Sequence, residues 1–177
     1  VGTSGWSNER IAEIAQFVRG HDDAGAVLFI PNFSIGSVIS TAVSVLAARF
    51  FDSIEIIEAH HAGKVDSPSG TAVRTAELIG EARRDAGPVA APHADQRARG
   101  QLVSGVPVHS MRLSGVLAEQ RVIFGGEGET LTVVHSTLSP TSYEQGILLA
   151  LRHAPDESGV VVGLDALLDL GVPGTDR

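Results

Sequence analysis

The chain has 177 residues, a net charge of −8, a pI near 5.3 and no cysteine. That length can bury a sizeable core without cross-links. Lacking thiols, the chain cannot form disulfides, thiolate zinc sites, iron–sulfur clusters or a cysteine nucleophile, and the composition suits a reducing, cytoplasmic setting. The acidic balance argues against a nucleic-acid partner, because phosphate binding needs a positive field.

Two counts stand out beside these totals. The sole methionine is Met111 and the chain opens at Val1, which reads as a processed or partial chain. Twelve of the thirteen basic residues are arginine, and the one lysine is Lys64. No basic segment followed by an apolar run marks the N-terminus as a signal peptide. The most apolar stretch, 35–51, is interrupted by Ser37, Ser40, Thr41 and Ser44 and falls short of the roughly 20 apolar residues of a membrane span.

In chain order, a glycine turn over residues 1–5 precedes Ser7, which can cap a helix whose Ile11, Ile14, Ala15 and Val18 share a face. Residues 26–30 form a short apolar run ending at Pro31, a buried strand feeding a loop. From Ser34, the positions Ile35, Val38, Ile39, Ala42, Val43, Leu46 and Phe50 follow helical spacing. Residues 53–59 have the β-branched content of a strand and run into His60 and His61. A loop with Gly63, Pro68 and Gly70 leads to a helix expected over 71–86. Residues 87–105 lack periodicity and read as a long, weakly ordered excursion.

Three strand-like runs follow, at 106–113, 116–124 and 130–137, and their close succession favours antiparallel pairing between neighbours. The Gly125-Gly-Glu-Gly-Glu129 segment reads as a hairpin turn. A helix is expected over 143–153, a strand over 160–162 and a short helix over 166–170. The fold class is α+β, with a mixed, largely antiparallel sheet covered by helices.

Chemistry concentrates in residues 58–72, which hold His60, His61, Lys64, Asp66 and a Ser69-Gly70-Thr71 turn between a strand end and a helix start. Backbone N–H groups in the first turn of a helix are unpaired and its dipole is positive, so Ser69, Gly70 and Thr71 can grip a carboxylate. Histidine titrates near neutrality, and either ring can act as a general acid. Unlike arginine, lysine can be tuned to release a proton, a reason for the lone lysine to sit here. A surface histidine pair and a simple helix cap are the bland readings of the same residues. Gly63-Lys64 is not a Walker loop, because Val65 stands where Ser or Thr is needed. His60, His61, Asp66, His109 and His135 together would suit a metal-assisted hydrolase.

The window resembles the signature of the dihydrodipicolinate reductase (4-hydroxy-tetrahydrodipicolinate reductase) family: Glu-x-His-His-x-x-Lys-x-Asp-x-Pro-Ser-Gly-Thr-Ala. Pro31-Asn-Phe-Ser-Ile-Gly36, Gly105-Val-Pro-Val-His-Ser-x-Arg112 and Phe124-Gly-Gly-x-Gly-Glu-Thr-Leu-Thr132 are similar to that family too. The resemblance implies nicotinamide-dependent reduction, with NADPH or NADH, in bacterial lysine and diaminopimelate synthesis. It implies His60 as general acid/base, with Lys64 as its companion and His61 as a substrate contact. Ser69, Gly70 and Thr71 would hold a ring carboxylate. Gly2, Thr3 and Ser4, with Ile30, Pro31, Asn32 and Phe33, would line the nicotinamide pocket.

The implied organisation is a remnant of a Rossmann-like α/β cofactor domain over 1–31, a substrate and tetramerisation domain over 32–154, and a segment over 155–177 returning to the cofactor domain. The chain departs from the family in having no Gly-x-x-Gly-x-x-Gly phosphate loop. It is therefore expected to bind dinucleotide poorly and to be inactive alone. The third reading is a non-catalytic oligomerisation or binding module, with a homotetramer implied by the resemblance.

Overall fold

The computed structural model describes residues 1–3, 6–21, 25–168 and 170. The elements are α1 (Asn8–Arg19), β1 (Val27–Phe29), α2 (Ile35–Ala47), β2 (Ser53–His60), α3 (Gly70–Ala82), β3 (Gln101–Val103), β4 (Val106–Arg112), β5 (Ala118–Gly126), β6 (Glu129–Thr137), α4 (Glu144–His153) and β7 (Val160–Val162), with short 3₁₀ turns at Arg97–Arg99, Pro140–Tyr143 and Asp165–Leu167. They divide into two compact units, one of residues 1–39 and 140–177 and one of residues 40–139. No helix among the described residues is long and apolar enough to cross a membrane.

In the first unit, Ser7 caps α1 by accepting the Arg10 N–H, as its hydroxyl and the helical spacing predict. Strands β1 and β7 pair in parallel, Val27 beside Val160 and Phe29 beside Val162. Leu28, Ile30, Ala150, Leu164 and Leu167 form the core beneath them. Gly146 of α4 is required by packing, since a Cβ there would lie 1.9 Å from the Phe33 carbonyl oxygen. Asn32 opens α2: its Oδ1 accepts the Ser34 N–H at 2.9 Å and its Nδ2 donates to Ser37 Oγ at 2.9 Å.

The second unit is built on a five-stranded sheet in the order β3-β4-β2-β5-β6. Central β2 is parallel to β4 and antiparallel to β5, while β3/β4 and β5/β6 are antiparallel, so the mixed, largely antiparallel α+β fold expected from the sequence is present. Helix α3 supplies the crossover that parallel strands need. One sheet face, bearing Ile54, Ile56, Val106, Val108, Val122 and Phe124, packs on Ala72, Ala76 and Ile79 of α3. The turn between β5 and β6 is the expected hairpin, with Gly126 opposite Glu129 and Gly128 at φ 78°.

Three expectations fail here. Strands β4 and β5 are not partners, because β2 lies between them. The 87–105 segment is structured rather than weakly ordered: it holds a 3₁₀ turn and β3, Val89 enters the core, and the Ala90 N–H donates to the Asp52 carbonyl at 2.8 Å. Helix α3 also ends at Ala82, short of the expected 86, where Arg83 turns its guanidinium back onto loop carbonyls.

Candidate functional site

Strand alternation places Ile54, Ile56, Glu58 and His60 on the helix-covered face of β2. Parallel register sets Ser110 beside Glu58, and Arg112 beside His60. His60 and Arg112 are thus the last residues of the two parallel strands, at the carboxyl ends where α/β sheets place their ligands. The β2–α3 loop and the first turn of α3 complete the site.

Glu58 is fully buried, at 0% exposure. Its Oε2 lies 2.6 Å from His60 Nδ1 and accepts from Arg112 Nη1 at 2.9 Å. Its Oε1 accepts from Arg112 Nη2 at 3.0 Å and from the Ser69 N–H at 3.2 Å. Burial alone would raise this carboxyl, but hydrogen bonds from Arg112, Ser110 and His60 outweigh it and hold the group below its ordinary value. Burial pushes the His60 imidazole down. Glu58 opposes that shift, and the Lys64 and Arg112 cations reinforce it.

Arg112 also fastens the loop, donating through Nε to the Lys64 carbonyl at 3.3 Å and through Nη2 to the Asp66 carbonyl at 2.5 Å. Lys64 reaches Asp66 Oδ1 at 2.7 Å and holds that exposed carboxyl below its ordinary value. The backbone passes a cis Ser67–Pro68 peptide before α3 begins. Ser69 is buried and N-caps α3, its hydroxyl accepting the Ala72 N–H at 3.2 Å. Gly70 is exposed, with open space where a Cβ would be, and Thr71 is half-buried. His61 is exposed, and its carbonyl accepts the Lys64 N–H at 3.1 Å.

The structure therefore gathers His60, Lys64, Ser69, Gly70 and Thr71 around one strand–helix junction, with His61 on its outer side. Glu58 and Arg112 belong to the same network, although neither was a candidate from sequence. The signal was present: Glu58 falls in step with Ile54 and Ile56, so a carboxylate was due on the buried face and needed a cation.

In the other unit, the Gly2 backbone lies against the Phe33 ring, so that a Cβ would stand 2.8 Å from Cε2. Val1 bridges the same region, its carbonyl accepting the Ile30 N–H at 2.8 Å. Thr3 Oγ1 accepts from Trp6 Nε1 at 3.2 Å. Pro31 is exposed, and both polar ends of Asn32 are engaged in opening α2. Ser4 lies outside the described residues.

The proposed histidine metal cluster is not assembled. His109 pairs with Ile57 in the sheet and so points to the face opposite His60, where it contacts Glu55 at 2.8 Å. Among the described residues no three His, Cys, Asp or Glu side chains are placed to share an ion.

Comparison with known proteins places this geometry. Residues 35–168 match the family model for dihydrodipicolinate reductase, C-terminus. The chain is 61% identical over 170 residues to a 4-hydroxy-tetrahydrodipicolinate reductase of Clavibacter sepedonicus, covering 96% of this chain and 61% of that protein. It is 48% identical over 172 residues to the protein of that name from Mycobacterium sp. (strain KMS), covering 96% of this chain and 70% of the relative. Among solved structures, the dipicolinate-bound dihydrodipicolinate reductase from Paenisporosarcina sp. TG-14 superposes with a TM-score of 0.78 at 35% identity, over 94% of this chain and 63% of that one. The chain thus spans about 61% of the length of the first of these relatives.

Proposed function

Since the chain belongs to the dihydrodipicolinate reductase family, we propose that its 58–72 segment binds a ring dicarboxylate and delivers the proton when 4-hydroxy-tetrahydrodipicolinate is reduced to tetrahydrodipicolinate. That reaction is a step of bacterial lysine and diaminopimelate synthesis. The observation that supports this reading best is the junction itself: an imidazole, the chain's one lysine ammonium and the N-terminus of α3 meet at the ends of two parallel strands. A carboxylate is held there by the Gly70 and Thr71 N–H groups, the Thr71 hydroxyl and the helix dipole. Lys64 leaves Asp66 for the second, stronger anionic partner, and His61 contacts the substrate from the outer side.

His60 transfers the proton. Its lowered value in the free protein keeps the ring neutral near pH 7, and a dianion bound beside it raises that value again, so proton uptake accompanies substrate binding. A reduced nicotinamide, NADPH or NADH, supplies the hydride when bound. Gly2 and Thr3, with Ile30, Pro31, Asn32 and Phe33, would hold the ring end of that group, and the lack of a side chain at residue 2 lets its backbone lie directly against the Phe33 ring. No glycine-rich phosphate loop is present in the sequence, so the 177-residue chain is expected to show no measurable turnover with either dinucleotide.

Assembly as a homotetramer would use the sheet face opposite α3, where Met111 and Val134 are exposed; light scattering on the purified chain checks it. The substrate reading is tested by calorimetry with dipicolinate. Wild type binds, Lys64→Ala weakens binding by about tenfold or more, and Thr71→Val weakens it less. Absence of binding to the folded wild-type chain would overturn the reading.

A further inference from the structure

Glu58 is the only carboxylate in the fully buried set of described residues, and its surroundings decide the proton on its neighbour. Two of its partners, the Arg112 guanidinium and the Ser69 backbone N–H, can only donate. Arg112 grips both oxygens in a fork, and Ser110 donates as well. A carboxylate in that setting stays ionised and can only accept. The 2.6 Å contact with His60 Nδ1 therefore has one consistent arrangement, in which Nδ1 carries the hydrogen.

The backbone of His60 is held too. Its carbonyl accepts the Leu113 N–H at 2.9 Å, just past the end of β4. The ring is thus fixed through Nδ1 on one side and through its own strand on the other, leaving Nε2 for exchange with a ligand. The charges acting on the ring are Glu58, which favours the imidazolium, and Lys64 and Arg112, which oppose it. Asp66 is already tied to Lys64.

We propose that Glu58 is a positioning residue for His60: held ionised by Arg112, it takes the Nδ1 hydrogen and makes Nε2 the nitrogen that receives and releases the proton. This rests on the reading of His60 as the proton-transfer group given above. In comparable histidine–carboxylate pairs, loss of the tautomer costs up to about 10⁴ in turnover.

The test reads the ring directly by ¹⁵N NMR on the full 177-residue chain labelled at histidine, so it does not depend on catalysis. Wild type should show the neutral Nδ1–H tautomer, with Nε2 unprotonated above the titration. In Glu58→Gln the ring should titrate at lower pH than in wild type, because the anion favouring the imidazolium is gone. Glu58→Asp, which keeps the charge, should move it back toward wild type. A merely structural role predicts the opposite sign, since a loosened site lets the ring rise toward the free value of about 6.5.

An Nε2–H tautomer in wild type would overturn the proposal, as would a Glu58→Gln titration equal to or above wild type. The wild-type tautomer decides the matter even if Glu58→Gln does not fold. An Nδ1–H ring in a chain that fails to bind dipicolinate would leave the pairing standing and remove the substrate reading instead.

Discussion

Two arginines of the sheet unit do similar work with different consequences. Arg83, 5% exposed, donates to the carbonyls of Ala48, Phe51, Gly87 and Pro88, and no carboxylate faces it among its described partners. Arg112 donates to the carbonyls of Lys64, Asp66 and Met111, and also to both oxygens of Glu58. Each guanidinium ties an irregular loop together by donating to its carbonyls, which are buried or part-buried at Arg83 and part-buried or exposed at Arg112. Arg83 follows the last turn of α3, where the helix dipole favours a cation, and the 48–52 and 83–88 segments that it joins hold no histidine or lysine. Arg112 orders a loop through a carboxylate that also touches an imidazole, which couples loop geometry to protonation. A fork of donors orders a loop in either place, and of the two only Arg112 shares its anion with an imidazole.

The contrast breaks first at Arg112. Arg112→Ala leaves Glu58 buried and uncompensated, and should cost about 3–5 kcal/mol in denaturant unfolding, with loss of dipicolinate binding. A loss below about 1 kcal/mol would mean that the pair does not hold the site. Arg83→Met should cost roughly 2–3 kcal/mol through its abandoned carbonyls, while the His60 titration and ligand affinity stay at wild-type values. Any change in His60 would erase the distinction between the two arginines.

Acid sharpens it further. The values of both His60 and Glu58 are lowered in the folded chain, so below the free values the unfolded state binds protons that the native state does not. Their contribution is complete above the free histidine range near 6.5 and is lost as pH falls through the folded value of His60 and then that of Glu58. Arg83→Met should keep this slope, and Arg112→Ala should flatten its lower part; unfolding curves between pH 7 and 3 check both.

The smallest effect belongs to the opposite sheet face. There Glu55 pairs with Arg99 and His109 at partial exposure. Arg99→Ala should lower stability by less than about 1 kcal/mol and leave the site untouched.

The strand–loop–helix order of 53–82 was legible because period-2 and period-3.6 patterns meet there at a glycine-rich junction, and the family signature sits on it. Glu58 was visible as a letter of that signature and by its step with Ile54 and Ile56, but neither pattern names the cation that it needs. Its partner Arg112 is 54 residues away and becomes a neighbour through the parallel pairing of β2 with β4, which close succession of strands argued against. Strand β3 escaped notice because three residues, Gln101–Val103, acquire strand character only by pairing with β4. The roles of Asn32 in opening α2 and of the Ser69 N–H on Glu58 likewise depend on which atoms face each other, and residue spacing does not carry that information.

The most direct measurement is an amide and histidine-ring NMR titration of the 177-residue chain with dipicolinate. Perturbations confined to His60, His61, Lys64, Gly70, Thr71 and Arg112 are predicted, with the His60 ring gaining a proton at Nε2 as the ligand binds. Saturable binding that perturbs the 87–105 segment instead, or no binding at all, would contradict the assignment of the site.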